Sequence, residues 1–542
     1  MARLQPPERD IGILRAPIRS TLGVFAIFVL VILVFGLFER LGAQVGFVPT
    51  AVIGSSLILS ALIAFFAHGR RATDYYVADR RLPAAFSGLA AASAFAGLVA
   101  IGLAEGGYTS RAEFLGAAAG LALGFLLIAA LFAPGLRGFG AYTTGDFLAA
   151  RFGGSWIRFA AAIVAFLPAF LILLAQLKIV TTLLQTLLGL TPSHALFAAA
   201  GLTAIAALPG GMRSLSWAQG VQYFVIALAC LVPAGFLAAQ EGAMDTALSQ
   251  DFGVLMIGNL PAWGAGTLGD FALPAAGLAL GAASLPFLLT RGLTATSPRE
   301  ATASMLWALL LSIFLVVAAL LLAQLLLAAG GQEGATGTAA NGDIMQLATL
   351  FGAPPVVFAA LVMAGLFAAL FSVGQAALFS AATAISHDLW DEAVDRKGTE
   401  GRRILVARLI LIAVAAFAAA LASVWPIQPP KLLAWALALA SGGIFAPLLL
   451  GLRWRRCNEI GAIAGMVAGF GFAALISGLT EIINRGAGLE GWTNVDPPTV
   501  ALIGVGMSFA TTIVVSLITP TAEPAADEPA GRDGVPMRER PA

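Results

Sequence analysis

The sequence predicts an all-α membrane protein of about fourteen transmembrane helices. Three observations carry that reading. Hydrophobic residues make up 59% of the chain and charged residues only 11%, the mean hydropathy is +0.92, and the apolar residues gather in runs of about 20, the length that crosses the hydrocarbon at 1.5 Å per residue. Such a composition cannot clothe a soluble surface, so most of the surface must face lipid.

Residues 1–20 read as a cytoplasmic arm, because the first apolar run starts late and no small-residue cleavage site follows it. Fourteen spans follow, at 21–41, 48–67, 84–107, 114–136, 158–188, 194–209, 216–239, 268–290, 303–329, 354–386, 403–424, 430–451, 459–482 and 498–518. With the N-terminus inside, 25 of the 30 Lys and Arg residues fall on the cytoplasmic side. Arg40, Arg111, Lys431 and Arg485 fall outside, and Lys178 lies within a span. Short loops keep their basic residues cytoplasmic, so this asymmetry supports N-in, C-in topology in a bacterial-type inner membrane. The segments 240–267 and 330–353 carry acidic residues and no Lys or Arg, as periplasmic loops do. Residues 519–542 are rich in Pro, Ala and charge and read as a disordered cytoplasmic tail.

Function classes fall away next. Of the basic residues 27 are Arg, confined to short segments between apolar runs, which disfavours nucleic-acid binding. Cys230 lies in an apolar run and Cys457 beside an Arg cluster, so a disulfide or metal site is not indicated. His68, His194 and His387 stand at predicted membrane boundaries without a second ligand at metal spacing and read as interfacial residues. No P-loop is present, and nothing else points to an enzyme. The spans themselves are interrupted: the third carries SAFAGLVAIG with Gly97 mid-run, and the eighth carries LALGAASLPFLL with Gly281 and Pro286. In secondary transporters broken helices mark a site at the midplane, and these two breaks lie five spans apart, as the first helices of two inverted five-helix repeats would.

Six segments, in order, resemble the sodium:solute symporter family, most closely its cation/acetate (monocarboxylate) permease branch. They are DYYVADRRLP (74–83), AYTTGDFLAARFG (141–153), LPGGMRSLSWAQGVQ (208–222), SLPFLLTRGLTATSPREA (284–301), AATAISHDLW (381–390) and RWRRCNEIGAIAGMVAG (453–469). The resemblance implies a LeuT-like ten-helix transport core over 84–451. Two peripheral helices precede it over 21–67, the first an addition relative to most relatives, and two follow over 459–518. It also implies a Na⁺ site between the first and eighth core helices, with carbonyl ligands on Ala92, Phe95 and Ala369 and a hydroxyl on Ser372. Na⁺ takes oxygen ligands, and a broken helix frees carbonyls for it.

Val373 stands where many relatives carry a second hydroxyl, so one ligand is missing. Gln375 or a water would have to replace it, or the chain would use H⁺ as coupling ion. No other cofactor is implied. Positions that carry Glu and Gln in sugar-transporting relatives are Leu98 and Val99, and the Asp that follows the Trp in other branches is Gln219. The implied function is ion-coupled symport of a small organic solute, a short monocarboxylate such as acetate, with its carboxylate held by helix-end amides. Gly97, Lys178 and Gln219 are the candidate substrate residues, with Glu105 a possible partner for Lys178. A solute sensor with a transporter-like fold and a symporter for another solute such as an amino acid are the alternatives. Protein partners are not legible beyond the lipid bilayer.

Overall fold

The computed structural model describes residues 11–42, 47–67, 69, 71–104, 111–205, 207–239, 267–330, 356–394, 398–484 and 496–520. All named elements are helices: α1 Ile11–Arg40, α2 Phe47–Phe66, α3 Ala72–Val77, α4 Ala84–Leu103, α5 Arg111–Leu127, α6 Ala133–Phe139, α7 Thr144–Phe152, α8 Ser155–Leu188, α9 Pro192–Ile205 and α10 Met212–Ala238. The second half holds α11 Thr267–Ser284, α12 Pro286–Leu293, α13 Pro298–Gly330, α14 Val356–Thr383, α15 Glu400–Val424, α16 Pro429–Ala440, α17 Ala446–Arg453, α18 Glu459–Asn484 and α19 Pro497–Ile518. Short π segments, in which one extra residue is inserted into the turn, join α5 to α6, extend α14 and join α16 to α17.

Each of the fourteen expected spans coincides with a helix or helix pair. Among the described residues eleven are long and apolar enough to cross a membrane, and α11 with α12 makes a twelfth as a bent pair. The other two expected spans correspond to α1, which begins at Ile11 inside the expected arm, and to α9, which has only 14 residues.

Contacts between helices carry the two-fold logic of the repeats. If α4–α10 is one half and α11–α17 the other, α4 packing along α13 has its counterpart in α11 packing along α5, and α10 along α14 has its counterpart in α8 along α16. Between apolar helices in lipid, close packing of small residues replaces the hydrophobic drive. Accordingly Gly120 and Gly124 of α5 abut the backbone of α11, and Gly442 meets Gly469.

Local signals place the loops. Thr143 caps α7, its Oγ1 accepting from the Asp146 amide at 2.9 Å, and Gly153 ends the helix at φ 83°. Arginines at the helix ends donate to backbone carbonyls: Arg80 to Gly140, Arg137 to Ala295, and Arg151 to Gly451. The additional helix α1 has a legible job in the structure. Its Glu39 carboxylate accepts from the Val356 and Val357 amides at 2.6 and 2.9 Å, capping the first turn of α14.

Two expectations about helix breaks have different outcomes. The eighth span does break: α11 ends at Ser284, Leu285 is extended, Pro286 opens α12, and the axes bend by 55°. The third does not, since α4 is one unbroken helix through Gly97. Gly97 is instead a point of closest approach. A Cβ there would lie 2.3 Å from the Ala369 carbonyl oxygen and 2.5 Å from Val373 Cγ1, so α4 and α14 touch backbone to backbone. A glycine that lets two helices meet and one that lets a helix break look the same in sequence.

Candidate functional site

The seam between α4 and α14 gathers the expected cation residues. Ala92, Phe95, Ser372 and Val373 are all at most 1% exposed, and Ala369 is 4% exposed. Because α4 is unbroken, the Ala92 and Phe95 carbonyls belong to its regular hydrogen-bond ladder, and each offers only its second lone pair. The expectation that a break frees them is corrected on that point. The Ser372 hydroxyl is buried without a hydrogen-bond partner among the described residues. The same is true of Ser93, one residue beyond Ala92 and one turn before Gly97, on the α4 face that meets α14. A buried hydroxyl left unpaired costs about 1 to 3 kcal/mol, and here two such groups sit on the two helices of one seam. Gln375 is engaged elsewhere, its Oε1 accepting from Gln222 Nε2 at 3.3 Å.

The expected substrate residues separate. Gln219 on α10 reaches the seam directly, its Nε2 donating to the Ser372 carbonyl at 2.8 Å. Gly97 lies in the seam as the contact just described. Lys178 lies apart, donating to the Trp425 carbonyl and lining a cleft of about 530 Å³ with Thr181, Thr182, Pro426 and Gln428. Thr181 and Thr182 bond back to carbonyls of their own helix. Glu105, the other suggested partner of Lys178, lies outside the described residues.

A buried charge escaped the sequence reading. Arg291 stands one residue past the expected end of the eighth span, where the sequence places it among the cytoplasmic basic residues. It belongs to α12 and is 1% exposed, the largest fully buried side chain among the described residues. Its Nη1 donates to Ser216 Oγ at 2.8 Å and its Nη2 to Gln219 Oε1. Among the described residues its Nε has no hydrogen-bond partner and no carboxylate pairs with it. An ionisable residue buried in the bundle of a membrane protein without a counter-ion is a functional-site candidate by default.

A second polar cluster fastens α7 to the end of α14. His387, read from sequence as interfacial, is 4% exposed. Its Nε2 lies 2.8 Å from Asp146 Oδ2, and its Nδ1 lies 3.6 Å from Asp391 Oδ2. Arg158 donates to the other Asp146 oxygen at 2.8 Å, Thr143 Oγ1 donates to Asp388 Oδ1 at 2.6 Å, and Tyr76 Oη donates to Asp391 at 3.3 Å. Burial pushes the Asp146 carboxyl up, but the neighbouring His387 and Arg158 outweigh it and hold the group well below the usual carboxylate range. Its contribution to stability is therefore fully present above about pH 4 and is lost only as the pH falls through that depressed value. A signal for the cluster was present in the spacing of His387, Asp388 and Asp391, but the partner loop lies 241 residues away.

A helical bundle with related halves, one broken helix and a polar seam between its first and eighth core helices defines a secondary membrane transporter. The chain belongs to the sodium:solute symporter family, whose model matches residues 75–469. It is 27% identical to an uncharacterized symporter of Cupriavidus necator, over 94% of this chain and 96% of that one. It is 26% identical to a monocarboxylic acid transporter of Corynebacterium glutamicum, over 76% and 79% of the two chains. In three dimensions it is similar to a substrate-bound, outward-open Na⁺-coupled sialic acid symporter, with a TM-score of 0.70 at 16% identity, over 89% of this chain and all of that one. That likeness establishes the shared fold.

Proposed function

We propose that the protein couples entry of a monovalent cation to uptake of a short monocarboxylate, acetate or propionate being the type. The observation that carries the cation half is the pair of unpartnered buried hydroxyls, Ser93 and Ser372, in a seam that also holds the Ala369 carbonyl. Na⁺ is held there by the carbonyls of Ala92, Phe95 and Ala369 and by Ser372, and Ser93 supplies the oxygen that Val373 does not. The carboxylate half is supported by the lack of an acidic counter-charge at Arg291 among the described residues, by Leu98 and Val99 in place of sugar-binding polar residues, and by the monocarboxylic acid transporter among the relatives.

The cation site is tested on purified protein in proteoliposomes. Ser372→Ala should raise the sodium concentration for half-maximal uptake by roughly one to two decades, equivalent to about 1 to 3 kcal/mol for a lost ligand. Val373→Thr should lower it, because Thr nearly matches Val in shape and restores a hydroxyl. If uptake is sodium-independent in the wild type and Val373→Thr confers dependence, H⁺ is the native coupling ion. If neither substitution changes ion dependence, the seam is not the cation site.

A further inference from the structure

Among the described residues the charge on Arg291 is balanced only by neutral acceptors. A guanidinium held in the protein interior by one hydroxyl and one amide is far from satisfied, because a buried cation costs several kcal/mol unless it is paired. Its partners are also unevenly distributed. Nη1 is occupied by Ser216, whereas on the other edge Nε is free and Nη2 is held by the Gln219 amide oxygen. Nε and Nη2 form the side-on edge of the guanidinium, which matches the two oxygens of a carboxylate.

Gln219 has a second attachment. While its Oε1 accepts from Arg291, its Nε2 donates to the Ser372 carbonyl, at the residue whose hydroxyl faces the cation seam. One amide thus bridges the Arg291 guanidinium and a carbonyl beside the cation seam.

We propose that Arg291 receives the carboxylate of the solute on its Nε/Nη2 edge, and that Gln219, displaced by it, links solute occupancy to the cation seam through the Ser372 carbonyl. This rests on the carboxylate reading above and goes beyond it by naming the anion-binding residue and the coupling link. A carboxylate that takes Nη2 removes the donor that fixes the Gln219 amide oxygen. The amide then turns away from Ser372 and takes its electropositive N–H with it. Losing a donor makes the carbonyl a better neighbour for a cation, so the anion raises cation affinity. Linkage requires the cation to raise anion affinity by the same factor. Helix-end amides, the holders expected from sequence, become auxiliary.

The test measures acetate uptake and, separately, radiolabelled Na⁺ binding in the absence of solute, on the full-length protein in proteoliposomes. Wild-type protein that takes up no acetate would sink the substrate reading itself. Given uptake, Arg291→Gln should raise the acetate half-saturation at least tenfold and leave Na⁺ binding without solute within twofold. Gln219→Glu supplies an internal carboxylate to Arg291. It should keep or raise thermal stability while raising the acetate half-saturation at least tenfold, and it decides the matter if Arg291→Gln does not fold. Gln219→Ala should shrink the factor by which Na⁺ lowers the acetate half-saturation to near one. A less than tenfold change in acetate half-saturation for Gln219→Glu, or for a folded Arg291→Gln, overturns the assignment of Arg291. An unchanged Na⁺ factor in Gln219→Ala overturns the coupling link.

Discussion

Replacing Gly97 by Ala places a methyl group 2.3 Å from the Ala369 carbonyl oxygen and 2.5 to 2.6 Å from Val373 Cγ1 and Cβ. Two of these three atoms cannot swing aside, since one is backbone and one is the branch point of a β-branched side chain. Real Cβ contacts essentially never fall below 3.0 Å, so α4 and α14 must separate by at least 0.7 Å (3.0 − 2.3) at the seam. Binding geometries tolerate about 0.5 Å, and overpacking of this kind costs about 1 to 3 kcal/mol. Gly97→Ala should therefore raise the sodium concentration for half-maximal uptake by roughly one to two decades. The change would be read as initial uptake rates over a sodium titration in proteoliposomes. Val373→Ala added to Gly97→Ala should recover only part of the loss, because it removes the Val373 contacts and leaves the Ala369 carbonyl. Full sodium affinity in Gly97→Ala would refute the account of the seam as a close contact that shapes the ion site.

Two further outcomes concern how the bundle is fastened. Glu39→Ala should destabilise the protein by about 1 kcal/mol, since it removes the carboxylate that caps α14, and an unchanged Tm in detergent would show that α1 does not anchor the core. At the other end of α14, Asp146→Asn and His387→Asn should each lower Tm, and a double-mutant cycle should return a coupling energy of about 1 to 3 kcal/mol. Strict additivity would mean that the 2.8 Å contact contributes nothing.

Much of this architecture was legible in the sequence because lipid demands it. Among the described residues eleven expected spans, and a twelfth as a bent pair, are helices long and apolar enough to cross a membrane, and Pro286 marks a real break because proline lacks the amide that would continue α11 into α12. What was not legible depends on distance along the chain. Arg291 follows an apolar run and so resembles any boundary arginine, and only Ser216 and Gln219, 75 and 72 residues earlier, reveal that it is buried. Nothing in the sequence distinguishes Ser93 from the other small residues of an alanine-rich helix, because an unpaired hydroxyl is a property of the packed seam and not of the residue. Gly97 misled for the same reason. The partners that decide its role, Ala369 and Val373, come from the far half of the molecule.

The most direct measurement of the central claim is uptake of labelled acetate by proteoliposomes that contain only this protein, with an imposed inward Na⁺ gradient and no other driving force. Concentrative uptake that collapses when the Na⁺ gradient is dissipated, and that is competed by propionate but not by glucose or proline, is the predicted result. Uptake that ignores both the Na⁺ gradient and an imposed H⁺ gradient, or that is competed strongly by proline, would contradict it.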